Sequence, residues 1–403
     1  MVGRFGPVSA RLSVASVCRS LPSPGDPSSG IFVLRRLAAL AAHTSLTTIQ
    51  PIPYFPLLAP LPAWARASCH TAEGLVISHA PMFYVPKFFK SLDGIWLYRS
   101  VLRKLVNLKK LGKLDLVDAH FGYPEGVGAF IAARKLGVPL VVTLRGFEAE
   151  YIHKPVIGKQ IRYLIRNADG CICVSHFLRD LALEHGAVSE KTRVIHNAVD
   201  KRLFFPADQT EARKKLGLDK TSPIVMSVGH LILRKRHHVL IAAFSELLRQ
   251  HRDARLLVIG DKTFEPDYTR RLYDQIAILG IGDSVELLGN VEAGRIGDYL
   301  RAADVFALGT QREGCCNAVL EALACGLPVV TTPVGDNTWF VKDGSNGYIV
   351  PVDDSAAMAS AVSNAILRRD WDGEDISVNL EVGDWDRVAT EVTDFFGTIL
   401  RLS

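Results

Sequence analysis

No run of eighteen or more apolar residues in this 403-residue chain is free of charge or proline, which excludes a membrane-spanning helix. No C-x-x-C pair occurs among the seven cysteines (Cys18, Cys69, Cys171, Cys173, Cys315, Cys316 and Cys325). Their odd number, and the alternation of Cys171 and Cys173 along an expected strand, point to buried free thiols in a reducing cytoplasm rather than to disulfides or a metal knot. No G-x-x-x-x-G-K-[ST] loop is present. Gly126-Val127-Gly128 lacks a third glycine and is separated by Pro124 from the strand before it, so a dinucleotide fingerprint is rejected as well. Low-complexity tracts are absent, and the only internal similarity is between two βα halves.

What is present is a globular composition, 48% hydrophobic with 22% charged residues, in a chain long enough for two domains with separate cores. The first twenty residues hold Arg4 and Arg11, and their short apolar stretch ends at Arg19. That is too short and broken for a secretory signal, so a cytoplasmic location is expected. Charge is unevenly spread. Residues 1–110 hold thirteen Lys or Arg against Asp26, Glu73 and Asp93, a local +10, while the net charge is +5. Such a bias suggests an anionic partner for that half.

Strands are expected at 11–18, 47–53, 114–120, 139–143, 170–174 and 193–195, then at 224–228, 255–259, 285–288, 303–310, 328–332 and 347–352. Helical spacing lies between them, and that alternation argues for parallel sheets covered on both faces. Open parallel sheets bind ligands at the carboxyl ends of their strands, which puts His120, Arg145, Ser175 and Asn197 on a rim. Gly30, at the mouth of a helix, lets backbone N–H groups approach a phosphate or sugar; a plain helix start accounts for it equally. The stretches YFPLLAPLPAWARA and PMFYVPKFFKSLDGIWLYRS mix aromatics with proline, Lys87, Lys90 and Arg99. They read either as a surface that docks on anionic headgroups, the reading favoured by the local charge, or as long connections packed over the sheet. Arg234-Lys235-Arg236-His237-His238 is a basic turn without a recognition helix or aromatic platform, so nucleic acid is not expected as a partner.

The chain is organised around 303–335. Between Gly314 and Thr332 the single charge is Glu321, in a helical stretch apolar on nearly every face. Such a helix is buried, and a buried carboxylate needs hydrogen bonds. Its side chain leans toward the helix N-terminus, where the Glu313 loop lies, so both acids address one cleft.

Glu313 and Glu321 stand in E-x7-E spacing, within REG, then N-x-x-x-E-A-x-A-C-G-x-P-V-V, then V-G-D-N. This pattern resembles the signature of family 4 glycosyltransferases of the GT-B fold. DAHFGYPEG around His120 is similar to the family's acceptor-side histidine segment, and IHNAVDKRLFFP to its interdomain N-G-V-D…F-x-P, with Ala198 in place of the glycine. The resemblance implies an α/β GT-B protein with two Rossmann-like parallel-sheet domains facing a central cleft. Residues 1–200 would bind the acceptor, 201–380 the nucleotide sugar, and a helix within 381–403 would cross back to the first domain. It further implies a retaining, metal-independent transferase that moves sugar from a UDP-, GDP- or ADP-sugar to a glycan or lipid-linked acceptor, as in surface or exopolysaccharide synthesis. Such an enzyme would sit peripherally on the inner face of the plasma membrane.

By that resemblance Glu313, His120 and Lys235 are catalytic. Glu321 accepts the ribose hydroxyls, Lys235 and Arg234 hold the diphosphate, and His230, Gly229, Gly314, Asn317 and Ala318 complete the donor site. His230 stands where the family has arginine, so either His230 or Arg234 takes that role. Gly30, Arg145 and His120 are the acceptor-side set. Breaking the anomeric bond builds charge on a leaving diphosphate. Asp353-Asp354 are adjacent and follow the last strand, a poor metal site, so no cofactor or metal is expected, and helix N-termini with Lys235 meet that charge instead. The rival readings are a sugar-nucleotide epimerase of the same fold and a non-catalytic nucleotide-sugar-binding module.

Overall fold

The computed structural model describes residues 11–402 apart from 28, 57, 263 and 264. Arg4, on which the reading of the amino terminus partly rests, lies outside them. The chain divides into two compact units: residues up to Ala198 together with those from Trp385 onward, and Val199–Asp384.

The first unit is built on an eight-stranded sheet ordered β3-β4-β2-β1-β5-β6-β7-β8. Its strands are β1 Ser13–Val17, β2 Ser45–Tyr54, β3 Cys69–Ala72, β4 Leu75–Phe83, β5 Leu116–His120, β6 Leu140–Leu144, β7 Gly170–Cys173 and β8 Thr192–Val194. All pairings are parallel but one: β3 and β4 form an antiparallel hairpin at the edge. Its turn is Glu73-Gly74, both at positive φ (43° and 77°). Strict strand and helix alternation therefore fails here, and so does the alternative reading of 81–100 as a long connection, since β4 runs to Phe83 and a helix begins at Asp93. Proline misled for a physical reason. β4 pairs with β3 only as far as Ser78 but with β2 as far as Phe83, so Pro81 lies where one strand edge has no strand partner and a missing N–H costs no ladder bond.

The carboxyl-terminal helix Trp385–Leu402 presents Val388, Val392, Phe395, Phe396 and Ile399 to the first unit's core, with Val14, Leu34 and Leu37. Gly170 lets it approach closely, because a Cβ there would stand 2.9 Å from Ile399.

The second unit has a six-stranded parallel sheet ordered β11-β10-β9-β12-β13-β14. These are β9 Ile224–Val228, β10 Arg255–Ile259, β11 Val285–Gly289, β12 Val305–Leu308, β13 Val329–Thr331 and β14 Gly347–Ile349. Strands buried on both faces explain the apolar runs of the sequence. The chain moves outward from β9 to β11, then returns to lay β12 beside β9. That reversal opens a crevice at the carboxyl ends of β9 and β12. In the first sheet the corresponding point lies between β1 and β5.

Candidate functional site

In the second unit, the loop after β9 and the loop after β12 meet at the reversal point. Leu233–Lys235 forms a single 3-10 turn. Gly229 leaves room for it, since a Cβ there would stand 3.2 Å from the Lys235 stem. Lys235 Nζ donates to Glu313 Oε1 at 2.8 Å, Arg234 Nη1 to Glu313 Oε2 at 3.1 Å and to the Arg312 carbonyl at 2.7 Å, and Thr310 Oγ1 to Glu313 Oε1 at 2.7 Å. Glu313 is 7% exposed, a buried carboxylate and not a solvated loop charge. Burial pushes its carboxyl up, but Lys235 and Arg234 outweigh that and hold it below the ordinary range. Burial likewise works against the Lys235 ammonium, and Glu313 reverses the direction.

Of the two alternatives at the diphosphate position, the ion pair with Glu313 is made by Arg234, while the His230 side chain is exposed and its carbonyl faces His237 Nε2 at 3.2 Å. His237 is a residue the sequence reading passed over. It is fully buried, its Nε2 lies 3.2 Å from both the Gly229 and His230 carbonyls, and its Nδ1 has no partner among the described residues. Nε2 therefore carries the proton. Burial, then the Lys235 charge, push its pKa down to about 4.

Helix Asn317–Ala324 follows the Glu313 loop. Gly335, at φ 55°, closes over that loop, its Cβ position 3.0 Å from the Glu313 carbonyl and 3.2 Å from that of Gly314. Asn317 and Ala318 occupy the first turn, and Glu321, 8% exposed, lies one turn further on the same face. The helix N-terminus adds partial positive charge beside Lys235 and Arg234. Asp353 pairs with Arg236 at 2.9 Å and Asp354 caps helix Ser355–Leu367 by accepting from Ala357 N at 2.8 Å. The two Asp-x-Asp runs of the chain, Asp370-Trp371-Asp372 and Asp384-Trp385-Asp386, are not part of the sequence reading; Asp370 pairs with Arg368 at 2.8 Å, Asp372 accepts from Asp375 N at 3.1 Å, and Asp386 contacts His43 at 2.8 Å at the start of the last helix.

In the first unit, His120 ends β5 and Arg145 follows β6. Arg145 Nε donates to His120 Nδ1 at 3.2 Å and Nη1 to Asn197 Oδ1 at 3.2 Å; His120 Nε2 lies 3.0 Å from Asp118 Oδ2 and 3.1 Å from Ser16 Oγ. The expectation that His120 addresses the reacting sugar does not fit this ring, which is 0% exposed with both nitrogens engaged. Burial is the first cause of its pKa falling to about 4, with Asp118 opposing. Asp118 and His120 share a strand face at i, i+2, a signal the sequence carried. Gly30, at φ 62°, meets Ser20 instead of this cluster: a Cβ would lie 1.9 Å from the Ser20 carbonyl. Close backbone approach thus accounts for that glycine. Ser175 caps helix His176–Glu184 by accepting from Leu178 N at 3.2 Å.

With the geometry in place, comparison with known proteins gives a consistent result. Residues 208–373 match the family described as Glycosyl transferases group 1, and residues 57–203 match Glycosyltransferase Family 4. The chain is 27% identical over 263 residues to N-acetyl-alpha-D-glucosaminyl L-malate synthase of Bacillus anthracis, spanning 64% of this chain and 67% of that one. It is 27% identical over 429 aligned positions to D-inositol 3-phosphate glycosyltransferase of Xylanimonas cellulosilytica, spanning 98% of each. Among solved structures, Anabaena Alr3699/HepE in complex with UDP and glucose superposes with a TM-score of 0.74 at 20% identity, over 96% of this chain and all of that one.

Proposed function

We propose, from the premise that this chain belongs to the family 4 glycosyltransferases and has their GT-B type of fold, that it moves a sugar from a nucleoside-diphosphate donor to a glycan or lipid-linked acceptor. The transfer proceeds with retention at the anomeric carbon and without a metal, in the synthesis of a surface or extracellular polysaccharide. One observation carries the donor half of the reading: Lys235, Arg234 and Glu313 converge at the strand reversal of the second sheet, beside the N-terminus of the helix that bears Glu321.

The roles follow from the donor and acceptor capacity of each group. Lys235 has three donors and Arg234 five, so each can bond a diphosphate oxygen while keeping Glu313. Their charges, with the N-terminal N–H groups of helix Asn317–Ala324, meet the negative charge that grows on the leaving diphosphate. Gly229, Gly314, Asn317 and Ala318 line the approach with backbone and small side chains. Glu321 accepts the two ribose hydroxyls. Glu313 holds the cations in place and is the carboxylate nearest to the developing charge. The acceptor proton passes to the leaving diphosphate, since both His120 nitrogens are already engaged. UDP is a fitting first donor to try, because Alr3699/HepE was solved with it.

The protein is proposed to work at the cytoplasmic face of a membrane. Among the described residues no helix is long and apolar enough to cross one, and the first unit exposes Phe88 and Phe89 among basic residues. The test of the function is direct: screen UDP-, GDP- and ADP-sugars by thermal shift, then assay transfer with the donor that stabilises. Stabilisation by none of them would sink the donor assignment.

A further inference from the structure

We propose that Arg145 binds an anionic group on the acceptor, a phosphate or a carboxylate, and that Asp118, His120 and Asn197 hold its guanidinium ready for it. This rests on the reading of the first unit as the acceptor half.

The hydrogen-bond chain has one solution. A guanidinium only donates, so the Arg145 Nε–H makes His120 Nδ1 an acceptor and leaves the ring proton on Nε2. There Asp118 Oδ2 accepts it at 3.0 Å, and the same oxygen accepts from Ser16 Oγ at 3.1 Å. Asn197 Oδ1 takes Nη1 from the other side. The fork is fixed on two edges, while Nη2 is buried and has no partner among the described residues.

A buried charged donor without an acceptor is costly, and here the charge is as poorly matched as the hydrogen bond. Burial and then the Arg36 guanidinium both act against the Arg145 charge. Two carboxylates lie near, and both are committed. Asp118 serves His120 and Ser16; Glu148 accepts from the backbone N–H groups of Gly122, Arg145 and Gly146 at 2.5, 3.1 and 2.7 Å. Arg36 itself is 1% exposed, with Nε and Nη2 unpaired among the described residues. Water would satisfy the hydrogen bond but would bring no charge to offset burial and the neighbouring Arg36 guanidinium. An oxyanion satisfies both, and arginine is the side chain whose planar fork suits one. Arg145 also stands at the carboxyl end of β6, on the rim where open parallel sheets bind ligands.

The test uses the full chain saturated with UDP, so that the second unit's phosphate-binding groups are occupied. Inorganic phosphate and malate are titrated separately by calorimetry into wild type, Arg145→Gln and Asn197→Asp, after each is shown to melt cooperatively. Asn197→Asp keeps the arginine but gives it a carboxylate of its own. Saturable binding of one anion to wild type, weakened at least tenfold in both variants, is the expected result; the stronger of the two anions names the acceptor's group. No saturable binding to wild type, or equal binding in all three proteins, overturns the proposal. So does a parallel loss of UDP affinity in Arg145→Gln, which would put this arginine on the nucleotide. If UDP fails to bind at all, the donor assignment falls separately, and the comparison of variants without UDP still decides the role of Arg145.

Discussion

Lys235 Nζ and Glu313 Oε1, 78 positions apart in the chain, lie 2.8 Å from each other. The contact joins the two loops that the strand reversal brings side by side, and it sets what each partner is free to do. Glu313 neutralises Lys235 and Arg234 together, so Glu313→Gln releases two cations while keeping the shape and the bond from Thr310. Free UDP should then bind as well as to wild type or more tightly, while turnover falls by at least a hundredfold. Stability should drop by about 1 to 3 kcal/mol from the loss of charge-assisted bonds. Calorimetry with UDP, a turnover assay and a melt measure all three. Weaker UDP binding would contradict the assignment of the released cations to the diphosphate.

Glu321→Gln should do the reverse to the nucleotide. If the carboxylate bonds the ribose, its loss costs roughly 1.5 to 3 kcal/mol, on the order of ten- to a hundredfold in affinity for UDP and for the UDP-sugar alike. Unchanged UDP affinity in a cooperatively melting variant would make Glu321 a core acid.

Much of this second unit was legible in the sequence, because apolar strands buried on both faces and a lone acid in an apolar helix are strong local signals. Strands 224–228 and 255–259 were placed to the residue. What escaped was information carried by partners distant in the chain. His237 reads as one more basic-turn residue until its ring is seen against the carbonyls of Gly229 and His230. His120 reads as a rim group until Arg145 and Asp118 occupy both nitrogens. The end of β4 was hidden because Pro81 suggests loop unless the free edge that β4 has beyond its pairing with β3 is known.

Acid should destabilise the fold through those two histidines. His120 and His237 are both pushed down to about 4, burial being the first cause in each. The unfolded chain therefore binds more protons between the ordinary value of 6.5 and about 4, and stability falls as pH falls across that window. Each histidine contributes a slope of about 1.4 kcal/mol per pH unit. Glu313, held below 4.5, adds loss in the same direction only at lower pH. His237→Gln retains a donor for the loop carbonyls and removes the titration, so the slope of stability against pH should shrink by about one proton. Denaturant titrations from pH 7 to 4 measure this, and an unchanged slope would refute it.

Activity should survive excess EDTA. The charge on the leaving diphosphate is assigned to Lys235, Arg234 and the N-terminus of helix Asn317–Ala324, and both members of Asp353-Asp354 are engaged by Arg236 and Ala357. Loss of turnover in EDTA, restored by Mg²⁺ or Mn²⁺, would reject the metal-free route.

The first unit should bind anionic membranes through one surface. Phe88 and Phe89 are 68% and 67% exposed at the tip of a loop whose backbone is left-handed at Lys87 and Phe89, and Leu92 and Ile95 continue the apolar surface at 42% and 40%. Helix Asp93–Lys110 carries Arg99, Arg103 and Lys110 outward, while Asp93, the single acid between 75 and 113, is buried. Apolar side chains beside cations suit an interface in which rings enter the acyl boundary and ammonium or guanidinium groups meet headgroup phosphates, each cation adding about 1 kcal/mol on an anionic surface. Vesicles containing phosphatidylglycerol should therefore sediment the protein at low salt and release it as salt screens the charges, whereas phosphatidylcholine vesicles should hold little. The two contributions separate by mutation. Replacing Phe88 and Phe89 with serine should weaken binding at every salt concentration, and Arg99→Gln with Arg103→Gln should flatten the salt dependence. Equal binding to neutral vesicles, or none to either kind, would leave these side chains to another partner.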